Sequence, residues 1–150
     1  MRRAIALSRE KMQAGAGGPF GALVVCDGLI VGEGWNQVTS ANDPTAHAEI
    51  VAIRAACRTL GTFALTGARL YTSCEPCPMC LAAIYWARIG QVFYANSQGD
   101  AAAIGFDDAF LYRELALPAD RRALPLRRML EGEAIRVFEE WQAKPDKIPY

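Results

Sequence analysis

Histidine is almost absent from this chain: His47 stands alone among 150 residues. A site built from several imidazoles is thereby excluded. Net charge is absent too, because 16 acidic and 16 basic residues cancel. Nucleic-acid binders ordinarily carry a basic excess, and only the pairs Arg121-Arg122 and Arg127-Arg128 offer one locally. No nucleic-acid partner is expected from that balance. Apolar runs are broken by charge or glycine well short of a membrane span, so no membrane association is expected either. The opening segment MRRAIALSREKMQ lacks the long apolar core of a signal peptide, since Ser8-Arg9-Glu10-Lys11 interrupts it; a cytoplasmic location follows as the expectation. A disulfide framework is missing as well. There are five cysteines, an odd number, and three of them crowd into SCEPCPMC at positions 73–80. In a cytoplasmic chain that crowding points to a metal or to catalysis.

What is present suffices for a core. Apolar residues make up 52% of the chain, and a chain of this length is most simply one domain, residues 1–150. Residues 2–14 read as an amphipathic helix stopped by Gly15. Two apolar runs, 20–26 and 29–35, flank Asp27-Gly28, a strong hairpin signal. Asp43-Pro44 reads as the cap and first residue of a helix running to Gly61, with Ile50, Ile53, Cys57 and Leu60 on its buried stripe. ARLYTS, PMCLAAIYWARIG and QVFYAN then form a strand, a helix and a strand, which implies a parallel crossover. The expected fold is α/β: a mixed sheet of four to five strands flanked by helices in three layers. Beyond Gly99 the pattern weakens to a loop, a short helix and a late helix in GEAIRVFEEWQ. Trp141, Ile148 and Tyr150 crowd the end of the chain, where large apolar residues need a docking place. Cys26 and Cys57 read as ordinary buried cysteines.

Chemistry gathers at two helix starts. Cys77 and Cys80 are three apart around a helix that begins near Pro78, and the positive end of a helix favours thiolates. His47 lies at the start of the other helix. One imidazole and two thiolates suit zinc. A Cys-x-x-Cys pair at a helix start also suits thiol–disulfide chemistry, and Cys74 stands near enough in sequence to be a fourth ligand. Three protein ligands leave a position for water, whose pKa falls towards about 7. Glu49 is then placed to carry protons. Residues two apart on a regular helix point about 200° apart, so spacing alone does not bring His47 and Glu49 to one metal.

His47-Ala48-Glu49 followed by Pro76-Cys77-x-x-Cys80 is the H-x-E…P-C-x-x-C signature of zinc nucleobase deaminases. The segments GGPFGA, NDPTAHAEI, LYTSCEPCPMCL, AIYWAR, VFYA and GFDDAF, with the final tyrosine, further resemble the bacterial guanine deaminases of the cytidine-deaminase fold. The likeness covers most of residues 14–114 and is weak over 115–147. NDPTAHAE and EPCxMC are shared with tRNA adenosine deaminases. The resemblance implies one Zn2+ per chain held by His47, Cys77 and Cys80, with Glu49 as proton shuttle. It implies a purine pocket in which Asn36 and the Ala48 backbone hydrogen-bond the base, and Phe20 and Trp86 wall it. Asp108 would contact guanine and help move protons, with Asp107 as the alternative. Members of the family exchange C-terminal segments, so residues from about 115 to 150 are expected to cross between two subunits of a homodimer, Tyr150 capping the partner's pocket. The implied reaction is hydrolysis of guanine to xanthine and ammonia. Related substrates, adenosine in tRNA or an aminotriazine such as ammeline, and a non-catalytic zinc or redox module are its rivals.

Overall fold

The computed structural model describes residues 1–149 and divides into two compact units, Met1–Ala109 and Phe110–Tyr150. In the first, helix α1 (Arg2–Gln13) leads into strands β1 (Gly21–Cys26) and β2 (Leu29–Trp35), and a short α2 (Val38–Ala41) follows. Then come α3 (Ala48–Leu60), β3 (Arg69–Cys74), α4 (Pro78–Trp86), β4 (Gln91–Asn96) and α5 (Gln98–Ala103). The four strands form one mixed sheet in the order β2-β1-β3-β4. β1 runs antiparallel to β2 and β3, whereas β3 and β4 are parallel across α4. The hairpin forms where Asp27-Gly28 predicts it, with positive φ of 49° and 80° at the two turn residues.

Alternation along β1 creates the layers. Ala22 and Val24 face a core shared with Ala48, Ala52, Ile53 and Ala56 of α3 and Ile84 of α4. Leu23, one residue out of phase, packs with Ala4 and Leu7 of α1 on the other side of the sheet. Arg3 ties α1 to β2 through Glu33, at 2.9 Å and 2.8 Å. Cys26 and Cys57 are partly buried against the larger core.

α3 lies unusually close to β2, and two glycines permit it. A Cβ on Gly34 would stand 2.2 Å from the Ala48 carbonyl oxygen, and one on Gly32 would stand 2.3 Å from that of Ala52. Only a bare backbone fits there. α3 also starts later than Asp43-Pro44 suggests. Asp43 Oδ1 instead accepts from the Thr45 N–H at 2.8 Å and its hydroxyl at 2.7 Å, closing a side-chain turn before the helix. His47 becomes the N-cap residue, in extended conformation.

The second unit takes in most of α6 (Ala109–Ala116), a short 3-10 turn at Ala119–Arg121, and α7 (Glu131–Ala143). No residue of α7 is buried, although it carries Ile135, Val137, Phe138 and Trp141. Tyr150 lies outside the described residues. Among those described, no helix is long and apolar enough to cross a membrane.

Candidate active site

α3 and α4 present their N-termini to one cavity of about 400 Å3, a volume suited to a small ligand. The two starts are built alike. His47 and Cys77 are the respective N-cap residues, both extended, with ψ of 156° and 168°. Because His47 precedes the helical turn, the 200° separation expected between it and Glu49 does not apply, and both line the cavity. Pro78 opens α4 without a lost hydrogen bond, and Cys80 follows one turn in, fully buried.

His47 Nδ1 stands 3.6 Å from Cys77 Sγ and 3.6 Å from Cys80 Sγ. The three donor atoms all lie within 4.8 Å of one another. The fit to zinc can be tested on these distances. Tetrahedral zinc with Zn–N of about 2.0 Å and Zn–S of about 2.3 Å separates its nitrogen and sulfur ligands by about 3.6 Å. The donor set and its spacing therefore suit that ion. Cys74 does not join them; its Sγ lies 3.6 Å from the Ser97 carbonyl oxygen, and burial pushes its thiol up to about 11.

Electrostatics within the triad treat the three ligands unequally. The hydrogen bond from Cys80, with a smaller one from His47, pulls Cys77 down to about 4. The same Cys77 contact, together with burial, holds Cys80 protonated. His47 is shifted upward by its bond to Cys77, against the opposing effect of burial. Metal binding at such a site displaces protons from its thiols.

Glu49 is 6% exposed, a rare setting for a carboxylate. Burial raises its pKa above the ordinary carboxylate range. Cys80 Sγ donates to its Oε2 at 3.5 Å, and the Thr72 hydroxyl on β3 donates to Oε1 at 3.2 Å.

Residues 1–96 match the family described as the cytidine and deoxycytidylate deaminase zinc-binding region. The chain belongs to that family. Guanine deaminase of Bacillus subtilis is 52% identical over 150 residues, which is 100% of this chain and 96% of that protein. An X-ray structure of a Bacillus subtilis guanine deaminase aligns with a TM-score of 0.96 at 52% identity, covering 99% of this chain and 95% of that one. A tRNA-specific adenosine deaminase of Agrobacterium fabrum is 45% identical over 86 residues, 57% of each chain. A solved relative in complex with 2,6-diaminopurine aligns with a TM-score of 0.68 at 36% identity, over 71% of this chain and 59% of its own.

The rest of this deaminase's cavity comes from loops around the two helix starts. Phe20 and Asn36 contribute from either end of the β1–β2 hairpin. Asn36 Oδ1 accepts from the Val38 N–H at 3.3 Å, which turns the Nδ2 donors the other way. Gly17, with a φ of 150°, lets the preceding loop touch the Asn36 backbone, since a Cβ would stand 1.7 Å from its carbonyl oxygen. Ala48 occupies the first helical position, whose N–H has no acceptor inside the helix.

The two acids of FDD separate. Asp107 is exposed and its Oδ1 accepts from the Ala109 N–H at 2.9 Å, holding the start of α6. Asp108 is half-buried and accepts from Gln98 Nε2 at 2.6 Å.

Trp86, expected as a pocket wall, does not line this cavity. It ends α4 with 68% of its surface exposed. Six residues at 100° each carry it well round the helix from Cys80. The aromatic partner of Phe20 is Phe106 instead, edge-on with centroids 4.9 Å apart and planes at 87°. Gln98, Glu75, Phe106 and Thr72 were not singled out from the sequence. Ser97-x-x-Asp100 does carry a capping-box signal, and both of its hydrogen bonds form at the start of α5. That signal finds the helix but not the reach of the Gln98 side chain.

Proposed function

We propose that this deaminase hydrolyses guanine to xanthine and ammonia, and that Glu49 carries the protons. The observation that carries the reading is the buried Glu49 carboxylate beside a His47–Cys77–Cys80 donor triangle, with both opening on one cavity. A zinc ion held by the triad, one per chain, supplies Lewis acidity and brings the ionisation of water down towards about pH 7.

The chain's own residues do the remainder. Guanine is planar, and Phe20 and Phe106 offer it apolar ring surface. Its N1–H and 2-amino group are donors, matched by the Asp108 carboxylate. Its acceptors meet the Asn36 amide N–H and the Ala48 backbone N–H. Held so, the base presents C2 to an attacking water. Glu49 takes the proton that the water gives up as its oxygen bonds to C2, and passes it to the ring nitrogen. The proton of the new C2 hydroxyl then reaches the amino group through the same carboxyl, the C2–N2 bond breaks as C2 regains its carbonyl, and ammonia leaves. Burial that raises the Glu49 pKa suits a group that must both take and give protons.

The reading extends to the assembly: a homodimer in the cytoplasm that exchanges segments from about residue 115 onward, with Tyr150 over the partner's pocket. Two features support exchange. α7 buries none of its residues despite Phe138 and Trp141. In the first unit, β4 is an edge strand that leaves Phe93 and Tyr94 exposed, beside exposed Leu81, Tyr85 and Trp86 on α4. Apolar surfaces of that kind call for a cover, and a second copy supplies it. A monomeric mass in solution would contradict the exchange.

An ammonia-release screen over guanine, guanosine, adenine, cytosine, ammeline and a tRNA anticodon loop tests the substrate. Release from free guanine and none from the anticodon loop is expected. The reverse would replace this reading with tRNA adenosine deamination.

A further inference from the structure

We infer that Gln98 is a specificity-positioning residue: it orients Asp108 towards the purine, and Glu75 fixes Gln98 in turn. The inference rests on the reading above, in which Asp108 accepts from guanine.

Three contacts connect the residues into a chain. Gln98 Nε2 donates to Asp108 Oδ1 at 2.6 Å. Glu75 Oε2 accepts from the Gln98 backbone N–H at 3.0 Å. The Glu75 backbone N–H donates to the Asn96 carbonyl oxygen at 2.8 Å, joining the β3–α4 loop to the end of β4. All three side chains line the cavity.

The chemistry fixes the sense of each bond. A carboxylate can only accept, so the Gln98 amide must present its NH2 to Asp108. That occupies one carboxylate oxygen of Asp108 and leaves the other for a ligand. Without the amide, the Asp108 side chain has two freely interchangeable oxygens and no fixed plane. A short, charge-assisted bond of this kind selects one plane.

Gln98 has its own support, which separates it from a passing surface contact. It is the first residue of α5, whose N-cap Ser97 forms a complete capping box with Asp100. The Glu75 carboxylate then takes its backbone N–H, one of those a helix start leaves without an intrahelical acceptor. The side chain therefore springs from a backbone held at two points. Asp107, the neighbouring acid, is already committed to the Ala109 N–H, and no such support reaches it.

The test is a mutant cycle on the zinc-loaded full chain, reading kcat and KM for guanine separately. Gln98→Glu keeps the shape and turns the donor into an acceptor facing Asp108. We expect kcat/KM to fall about 100-fold in Gln98→Glu and about tenfold in Gln98→Ala, with the larger share in KM. In an Asp108→Ala background, Gln98→Ala should cost no more than about a further twofold. Zinc content and thermal midpoint should match the parent in every variant. If Asp108→Ala is severely impaired but Gln98→Glu is not, the positioning role is overturned while the role of Asp108 stands. If Asp108→Ala is itself near the parent, the reading of Asp108 fails and the inference falls with it. Full additivity of the two losses would also overturn it.

Discussion

The Thr72 hydroxyl on β3 donates to Glu49 Oε1 on α3 at 3.2 Å, across the interior of the sheet–helix interface. Thr72 is only 1% exposed, so bulk solvent does not reach its hydroxyl. The bond fixes one carboxyl oxygen of Glu49, while the other lies 3.5 Å from Cys80 Sγ. Thr72→Val removes the donor and keeps the shape. It should lower kcat for guanine about tenfold with KM and zinc content little changed. Thr72→Ser should restore most of the loss. Equal loss in the Val and Ser variants would show that packing, and not the hydroxyl, matters at this position.

The close approach of β2 to α3 gives a second prediction. A Cβ at Gly34 would meet the Ala48 carbonyl oxygen at 2.2 Å and the Ala52 nitrogen at 2.4 Å, both backbone atoms that cannot swing aside. Gly34→Ala should destabilise the fold by about 1–3 kcal/mol. Because the helix it pushes begins at His47, the same variant should bind zinc more weakly. Gly90→Ala is the control, since a Cβ there meets nothing within 4 Å. A Gly34→Ala protein with parental thermal midpoint and zinc affinity would contradict the packing account.

Acid stability should report the Arg3–Glu33 pair. The hydrogen bond from Arg3 lowers the Glu33 pKa in the folded chain. A carboxyl depressed in this way stabilises the fold above its unfolded value of about 4.3 and loses that contribution as pH falls through the folded value. Both side chains are more than a third exposed, so solvent screening holds the effect to about 0.5–1 kcal/mol. Glu33→Gln should reduce stability by that amount at pH 7 and by progressively less as pH falls through the folded value of the Glu33 carboxyl. Denaturant unfolding of both proteins across this range checks it, and a constant difference at every pH would refute it.

The legibility of these features in the sequence was uneven, for physical reasons. The hairpin and both strands around Asp27-Gly28 are local, set by turn chemistry and alternation, and they form where they are expected. The parallel crossover likewise follows from tight connections around α4. The start of α3 was not local in that sense. Asp43 has a capping side chain, but it satisfies Thr45 first, and the helix waits until Ala48. That delay is what brings His47 and Glu49 to one cavity, which helical spacing alone does not do. Gln98 and Phe106 escaped because their reach into the cavity depends on how the loops after β4 pack, and no periodic signal encodes it. Trp86 stands outside this chain's own cavity because simple rotation along α4 carries it away from Cys80.

The central claim is that Glu49 moves the protons of a metal-assisted hydrolysis while taking no part in holding the metal. Its most direct test is Glu49→Ala, measured for zinc by elemental analysis and for ammonia release from guanine, alongside chelator-treated parent enzyme. The account predicts about one zinc per chain in the variant, turnover reduced by a thousandfold or so, and a parent that loses activity on chelation and regains it with zinc. A zinc-replete Glu49→Ala protein that releases ammonia at near the parental rate would contradict it.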